Sequence, residues 1–212
     1  AILEIGTSSL YLKKGESVGS LTTGLYHFAV LLPSEEDLGR FLHHLSQMGF
    51  YEVGAGDHIY SQALYFEDLD GIGIEVYADR PRDQWVYEGD SLKAATLPVD
   101  VQRLLKIGVG SWHGMPKDSK IGHIHLQVRD VENVRDVYVD GMGFEIKTAI
   151  PTALFISKDG YHHHIGANTC AGTDIVLREE NMTGLDYFTL AVDDIDWYKE
   201  HLKGYKEIED GL

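Results

Sequence analysis

The pattern of apolar and polar residues is clearest in residues 24–80, where it predicts a strand, a helix and two further strands. Alternation over residues 25–32 gives this strand one face that packs on a helix and one open face. The helix-packed face is predicted to hold Tyr26, Phe28 and Val30, and the open face His27, Ala29 and Leu31. Ser34 is a suitable N-cap for the helix, and Gly49 a suitable C-terminal stop. The helix is predicted to pack through a stripe at helical spacing: Leu38, Phe41, Leu42, Leu45 and Met48.

Two more strands are predicted at residues 61–67 and 72–78, joined by a turn at 68–71. Alternation along the last strand places Glu75 on the open face, which is the face of His27. A carboxylate in the middle of an apolar strand is costly unless it is paired, hydrogen-bonded or bound to a metal. The two residues together therefore predict a metal site on the open face of the sheet.

The same pattern returns after residue 120. It predicts a strand at 121–128, a helix capped by Asp130, and strands at 144–148, 153–157 and 161–167. The apolar residues of this helix are Val131, Val134, Val137 and Tyr138. When the two copies are aligned, His123 falls on His27, and the histidine run at 162–164 falls within a residue of Glu75.

We therefore predict an α+β fold with two complete βαβββ units, at residues 24–80 and 121–172, joined by a connector at 81–120. Residues 1–23 predict two short strands, which would be the last strands of another unit. Residues 185–212 predict the first strand and helix of a further unit, with Tyr187 at the position of His27. These partial units lead us to expect that the native protein is longer than this piece, or that its outer units lack these parts.

Composition narrows the choice of partners. A net charge of −16 over 212 residues argues against nucleic acid or an anionic membrane, because both need a basic surface. The chain shows no apolar run of transmembrane length and no signal peptide, and its single cysteine, Cys170, excludes an internal disulfide. We expect a cytoplasmic protein that acts on a small molecule, with a homo-oligomer as an open option.

Four motifs carry a family resemblance: GLYHFAVLLPS, GDHIYSQALYFEDLDGIGIEVYADRP, GHIHLQVRDV and GYHHHIGANTC. They resemble the vicinal oxygen chelate superfamily, which includes glyoxalase I, fosfomycin-resistance proteins and extradiol dioxygenases, and they are most similar to bacterial catechol 2,3-dioxygenase-like proteins. The resemblance implies that two units pair into a half-open barrel around Fe(II) or Mn(II). It implies His27, His123 and Glu75 as metal ligands, and a catechol-type diol and O₂ as substrates. The family's usual order places the glutamate in the last unit, whereas here it would come from the earlier of the two complete units.

The resemblance also implies residues that assist the reaction. Tyr65, ten residues before Glu75, would donate a hydrogen bond to an oxygen that gains charge. His58 and one residue of the histidine run, for which we favour His163 over His162 or His164, would manage protons. His125 remains an alternative ligand, since it shares the predicted face of His123.

Other interpretations stay open from the residues alone. His27 could be an ordinary strand histidine, Glu75 could form a salt bridge at a sheet edge, and Tyr65 could be core packing. The histidines at 43 and 44 are predicted on the surface, and those at 113 and 201 are predicted to be structural. Two other functions compete on the same fold: a glyoxalase-like metal-dependent isomerase or thiol transferase, and a metal-free binding or resistance protein. The first of these usually has a second strand-4 carboxylate, and here the histidine run is expected at that place.

Overall fold

The computed structural model describes residues 1–16, 21–89 and 91–201, with the side chain of His201 outside the description. Two short antiparallel strands come first: β1 (Ile2–Ile5) and β2 (Ser8–Tyr11). The first complete unit then consists of β3 (Gly24–Leu32), α1 (Glu35–Gln47), β4 (Gly54–Asp57), β5 (Ser61–Glu67) and β6 (Gly73–Asp79). The short edge strand β4 completes the βαβββ order, and its glycine-rich sequence carries no strand signal.

The connector holds a 3₁₀ turn at Arg82–Gln84, a small hairpin of β7 (Tyr87–Glu88) and β8 (Ser91–Leu92), and the helix α2 (Val101–Ile107). The second unit contains β9 (Lys120–Gln127), α3 (Val131–Val134), a π-helix at Arg135–Gly141, β10 (Glu145–Ile150), β11 (Ala153–Ser157) and β12 (Ile165–Asn168). A last helix, α4 (Ile195–His201), follows. The assignment of residues 1–23 and 185–212 to incomplete units stays a prediction.

The two units share one eight-stranded sheet, in the order β10-β11-β12-β9-β3-β6-β5-β4, which curls into a half-barrel. Its centre is the antiparallel pair β3–β9, and each of these strands pairs in parallel with the last strand of its own unit. The predicted α+β fold with paired βαβββ units is therefore confirmed. One face of the sheet packs on helices, and the other face is left for a site.

The helix α1 forms for the reasons that its sequence indicates. The Ser34 hydroxyl accepts a hydrogen bond from the Asp37 N–H at 3.1 Å, which satisfies one free donor of the first turn. Leu38, Phe41 and Leu45 are buried in one cluster with residues of β3 and β6. Met48 departs from the predicted stripe, because it caps the helix and is 69% exposed.

Tyr26 also departs from its predicted place under the helix. The pairing of β3 with β9 shifts register between Leu25 and His27, so Tyr26 sits at an irregularity of the strand. Its side chain is half exposed, and its ring lies 5.2 Å from the rings of His27 and His125. The shift therefore moves an aromatic ring from the helix side to the rim of the open face.

The second helix begins at the Asp130 cap, as predicted, but becomes a π-helix after one turn. Wider turns rotate the apolar face along the chain. Tyr138, as predicted, and also Val139 pack against the core cluster that contains Val134, while Val137, for which the spacing predicts packing, is 53% exposed. Among the described residues, no helix is long and apolar enough to cross a membrane.

Candidate metal centre

The sheet register sets two rows of residues across the open face. In the first row Tyr65, Glu75, Ala29 and His123 lie directly opposite one another on β5, β6, β3 and β9. The second row lies two residues further along the strands and contains Gly73, His27, His125, Gly166 and Phe155. The fully buried Ala29 lies between Glu75 and His123, and its small side chain leaves the space above it to its larger neighbours.

Three predicted ligands meet above these rows. The Oε2 atom of Glu75 lies 2.9 Å from Nε2 of His27 and 3.1 Å from Nε2 of His123. Each residue offers one ligand atom, these atoms all lie within 4.8 Å of one another, and all three side chains are buried. The structure thus brings together residues from both units, as the repeat alignment predicts.

The donor set fits a divalent cation. Nε2 of His27 is buried 2.9 Å from Oε2 of Glu75, and it has no hydrogen bond that meets the usual geometric criteria. Such an atom is costly to bury unless it meets a ligand. Two imidazoles and one carboxylate are also the donor set typical of non-haem iron sites with open positions.

The electrostatics favour the form that binds metal. Burial raises the pKa of Glu75, but the facing imidazoles of His123 and His27 outweigh it and hold that pKa well below its usual range. Burial lowers the pKa of His123 to about 4, because the charge of Glu75 offsets only part of the desolvation. At neutral pH the centre therefore presents an ionised carboxylate beside neutral imidazole, and metal coordination needs these protonation states.

His58 and Tyr65 form a hydrogen-bonded pair beside this cluster. Burial and the negative charge of Glu75 raise the pKa of Tyr65, so its phenol keeps its proton. The phenol donates to Nε2 of His58 over 2.6 Å, and Nδ1–H of His58 donates to the Ala95 carbonyl over 2.8 Å. The Tyr65 hydroxyl is thus held in place from the connector, next to Glu75.

The histidine run does not lie on a strand, contrary to the sequence prediction. Residues 161–164 precede β12 with bends at 162 and 164, so strict alternation does not apply to them. His162 and His163 are both buried, with their Nδ1 atoms 2.7 Å apart, and the His163 ring lies 4.2 Å from that of His123. His164 turns away and accepts a hydrogen bond from the Lys158 backbone N–H.

His125, the alternative ligand, is engaged elsewhere. The side-chain amide of Asn168 donates to its Nε2 over 3.0 Å, while the Asn168 carbonyl oxygen accepts from the Cys170 N–H. Burial lowers the pKa of His125 well below its usual range, so it is neutral. The ring fills the second row beside His27, with centroids 4.8 Å apart.

The chain matches the sequence profile of the Glyoxalase/Bleomycin resistance protein/Dioxygenase superfamily over residues 4–76 and 120–212. It belongs to this superfamily. It is also 45% identical to the catechol-2,3-dioxygenase of Bacillus subtilis (strain 168) over 174 residues, which cover 80% of this chain and 61% of that protein. The chain therefore spans about three fifths of the length of this relative.

Two solved structures show partial likeness to the chain. A candidate dioxygenase from Bacillus subtilis aligns with 12% identity and a TM-score of 0.47, over 73% of this chain and 44% of that one. A methylmalonyl-CoA epimerase from Streptomyces coelicolor aligns with 16% identity and a TM-score of 0.33, over 70% of this chain and 96% of that one.

The second unit of the chain has no residue equivalent to Glu75. Glu75 lies opposite Ala29, which is two residues after His27. The matching residue two after His123 is His125, and it lies opposite Gly166. The expectation that the histidine run occupies this position is therefore wrong, and a glycine stands there instead.

Several residues at the site were not predicted from the sequence. Asp79, at the end of β6, contacts His162 of the other unit, and Asn168 holds His125. Phe155 lies against His125 and His163, with ring centroids 5.6 and 5.1 Å away. Of the histidines predicted on the surface, His43 is half buried and contacts the Leu105 carbonyl of α2 through Nε2. Of these residues, only Phe155 could have been predicted, because the alternation along the strand at 153–157 assigns it to one face of the sheet.

Proposed function

We propose that this chain holds the metal centre of an extradiol ring-cleaving dioxygenase, with Fe(II) or Mn(II) bound by His27, His123 and Glu75. The observation that carries the proposal is the convergence of two imidazole nitrogens and one carboxylate oxygen within 4.8 Å. The superfamily membership and the similarity to a catechol-2,3-dioxygenase support it. When bound, the metal would supply open coordination positions at which a catechol-type diol and O₂ can meet.

The surrounding side chains would orient the diol and handle its protons. The Tyr65 hydroxyl, kept protonated next to Glu75, can turn to donate to an oxygen that gains negative charge. His163 lies against His123 as a neutral imidazole, because burial lowers its pKa well below the usual range. It can therefore accept a proton from a substrate hydroxyl. The half-exposed Tyr26 lies at the rim and provides an aromatic surface beside the opening.

The glycine opposite His125 supports this function over a glyoxalase-like isomerase. Such an isomerase would use a second carboxylate as a fourth protein ligand, and Gly166 offers no side chain there. Fewer protein ligands leave more positions for a bidentate diol and a second reactant. The metal-free binding protein is disfavoured by the convergence of three buried ligand atoms within 4.8 Å of one another.

The test is a ring-cleavage assay on protein loaded with Fe(II) under anaerobic conditions. Bound metal is first measured by elemental analysis, and we expect about one ion per chain. Catechol is then added in air, and a yellow ring-opened product should form while equal amounts of O₂ and catechol disappear. Protein loaded with Zn²⁺ is the control and should consume no O₂. Protein that retains iron, yet neither consumes O₂ nor forms this product, would contradict the proposal.

A further inference from the structure

A line of polar contacts runs from the end of β6 to the metal centre through the histidine run. The Asp79 carboxylate accepts from the Tyr161 hydroxyl through Oδ2, at 2.9 Å, and its Oδ1 lies 3.0 Å from Nε2 of His162. Nδ1 of His162 then lies 2.7 Å from Nδ1 of His163. The His163 ring completes the line, since it packs against His123.

When His162 and His163 each carry a single ring proton, the carboxylate at one end determines where these protons sit. An ionised carboxylate only accepts hydrogen bonds, so Nε2 of His162 must carry a proton. In a neutral His162, Nδ1 is then an acceptor, and the proton of the 2.7 Å contact belongs to Nδ1 of His163. Nε2 of a neutral His163 is then left without a proton and can act only as an acceptor.

We propose that Asp79 and His162 are positioning residues that fix His163 in the tautomer with a free Nε2, the form that can accept a proton from the substrate. The hydrogen bond made by one ring nitrogen of a histidine determines whether the other nitrogen carries the proton. Here Asp79 determines this for His162, and His162 in turn determines it for His163. The consequence for turnover rests on the proposed function, whereas the tautomer itself is a property of the chain alone.

The surroundings of His162 suit a fixed ring. It is 2% exposed, stacks on Tyr60 with ring centroids 4.5 Å apart, and packs against the tilted ring of Tyr161 with centroids 4.0 Å apart. Tyr161 is itself held by Tyr77, whose hydroxyl lies 2.7 Å away. The ring of His162 cannot rotate without breaking these two ring contacts, so the order of its two nitrogens is set by packing as well as by Asp79.

The direct test is the tautomer of His163 in the metal-free, ¹⁵N-labelled protein, measured by long-range ¹H–¹⁵N correlation of the ring nitrogens. We expect a protonated Nδ1 and an unprotonated Nε2 on His163, and the reverse on His162. An unprotonated Nδ1 on His163 would overturn the proposal. This measurement decides the matter even if a variant fails to fold.

Variants then test whether His162 determines the tautomer of His163. His162→Phe keeps the aromatic stack but removes both nitrogens, so the His163 signals should move towards a mixture of tautomers. His164→Asn is the matched control, because it changes the neighbouring histidine outside the line and keeps an acceptor near the position of Nδ1. The control should leave the His163 signals in place. Equal shifts in the two variants would overturn the proposal.

The role of the carboxylate is tested at residue 79. Asp79→Ala should shift the His163 signals, and Asp79→Asn, whose amide oxygen can still accept from Nε2 of His162, should restore them. Similar shifts in both variants would contradict the assignment to Asp79.

Activity gives an independent readout. In the iron-loaded protein His162→Phe should lower kcat roughly 10–100-fold with little change in KM or in bound metal. An unchanged kcat in an active enzyme would contradict the consequence for turnover. A wild-type protein that binds iron but cleaves no ring, with the expected tautomers present, would instead refute the proposed function.

Discussion

The two βαβββ units of this chain have the same topology, but they differ in one pair of facing residues on the first and last strands. The small and the large residue of this pair are exchanged between the units. In the first unit a small residue on the first strand, Ala29, lies opposite a carboxylate on the last strand, Glu75. In the second unit a large ring on the first strand, His125, lies opposite a glycine, Gly166. Duplication therefore brings two equivalent histidines to one centre, and this exchange of small and large side chains leaves that centre with a single acid.

The exchange explains how both units pack while only one supplies a carboxylate. A Cβ atom on Gly166 would lie 3.0 Å from Nδ1 of His125, so the ring occupies the space that a side chain at residue 166 would need. In the first unit Ala29 leaves that space free for Glu75. A symmetrical pair of acids would add a fourth candidate ligand to the cluster of His27, His123 and Glu75, and the two acids would repel each other in a buried site.

The largest expected effect comes from removing the acid that distinguishes the units. Glu75→Gln keeps the shape of the side chain but replaces the carboxylate by a neutral amide. We expect the affinity for Fe(II) to fall by at least about 100-fold, as measured by elemental analysis after dialysis and by competition with a chelator. Glu67→Gln, which removes an exposed charge from the end of β5, is the control. Full metal content in Glu75→Gln would show that the ligand set is wrong.

The next effect compares the two glycines beside the histidine pair of the second row. A Cβ on Gly73 would lie 2.2 Å from the Tyr26 carbonyl oxygen, whereas a Cβ on Gly166 would meet a side-chain ring at 3.0 Å. Backbone at the centre of a sheet cannot yield, but a ring can shift slightly. Gly73→Ala should therefore cost about 3 kcal/mol of unfolding free energy and Gly166→Ala about 1 kcal/mol.

Urea denaturation of the metal-free proteins measures both values. Equal losses in the two variants would contradict the assignment of Gly73 to close strand contact. The same contact gives a structural reason for glycine at residue 73 that does not depend on any substrate.

The sequence predicts those parts of the site that depend on local strand structure. Alternation places His27 and Glu75 on one face because each lies inside a regular strand, and repeat alignment adds His123 because the units share a topology. The contact of Asp79 with His162 could not be predicted in this way. It joins the end of one unit to a bend of the other, and it depends on the register of β3 with β9 and its two irregularities.

The backbone of the histidine run is a second feature that the sequence could not predict. The repeat alignment predicts residues 161–167 as one strand, but residues 161–163 stay outside the sheet. Backbone pairing begins with His164, which hydrogen-bonds to Ile124 and Ile156. Two adjacent histidines can then turn towards the same centre, which a strand would forbid. Backbone irregularity of this kind is decided by packing between units and leaves no periodic signal in the sequence.

A smaller effect is expected from pH, because the second unit contributes its histidine in a buried, neutral form. His123 of the unfolded chain binds a proton near the ordinary histidine value of 6.5, while burial holds its folded pKa at about 4. Stability from this residue is fully present above pH 6.5 and is lost as the pH falls towards 4. Between pH 7 and pH 5 the metal-free protein should lose about 2 kcal/mol through His123.

The measurement is urea denaturation at the two pH values. His125 and His163 act in the same direction, since burial lowers the pKa of each well below its usual range. His123→Gln removes one titrating group and should flatten the pH dependence. A stability that is unchanged between pH 7 and pH 5 would contradict the buried, neutral assignment.

The smallest effect tests the other contrast between the units, the regular α1 against the π-helix at Arg135–Gly141. A regular α-helix would direct Val137 towards the core with Val134, whereas the wider turns of the π-helix direct Val139 there instead. Val139→Ala should therefore cost about 1 kcal/mol of unfolding free energy. Val137→Ala, with the same chemical change at an exposed site, should alter it by less than about 0.5 kcal/mol. The reverse order in urea denaturation would mean that this segment is an ordinary α-helix in solution, and that the two units differ only at the metal centre.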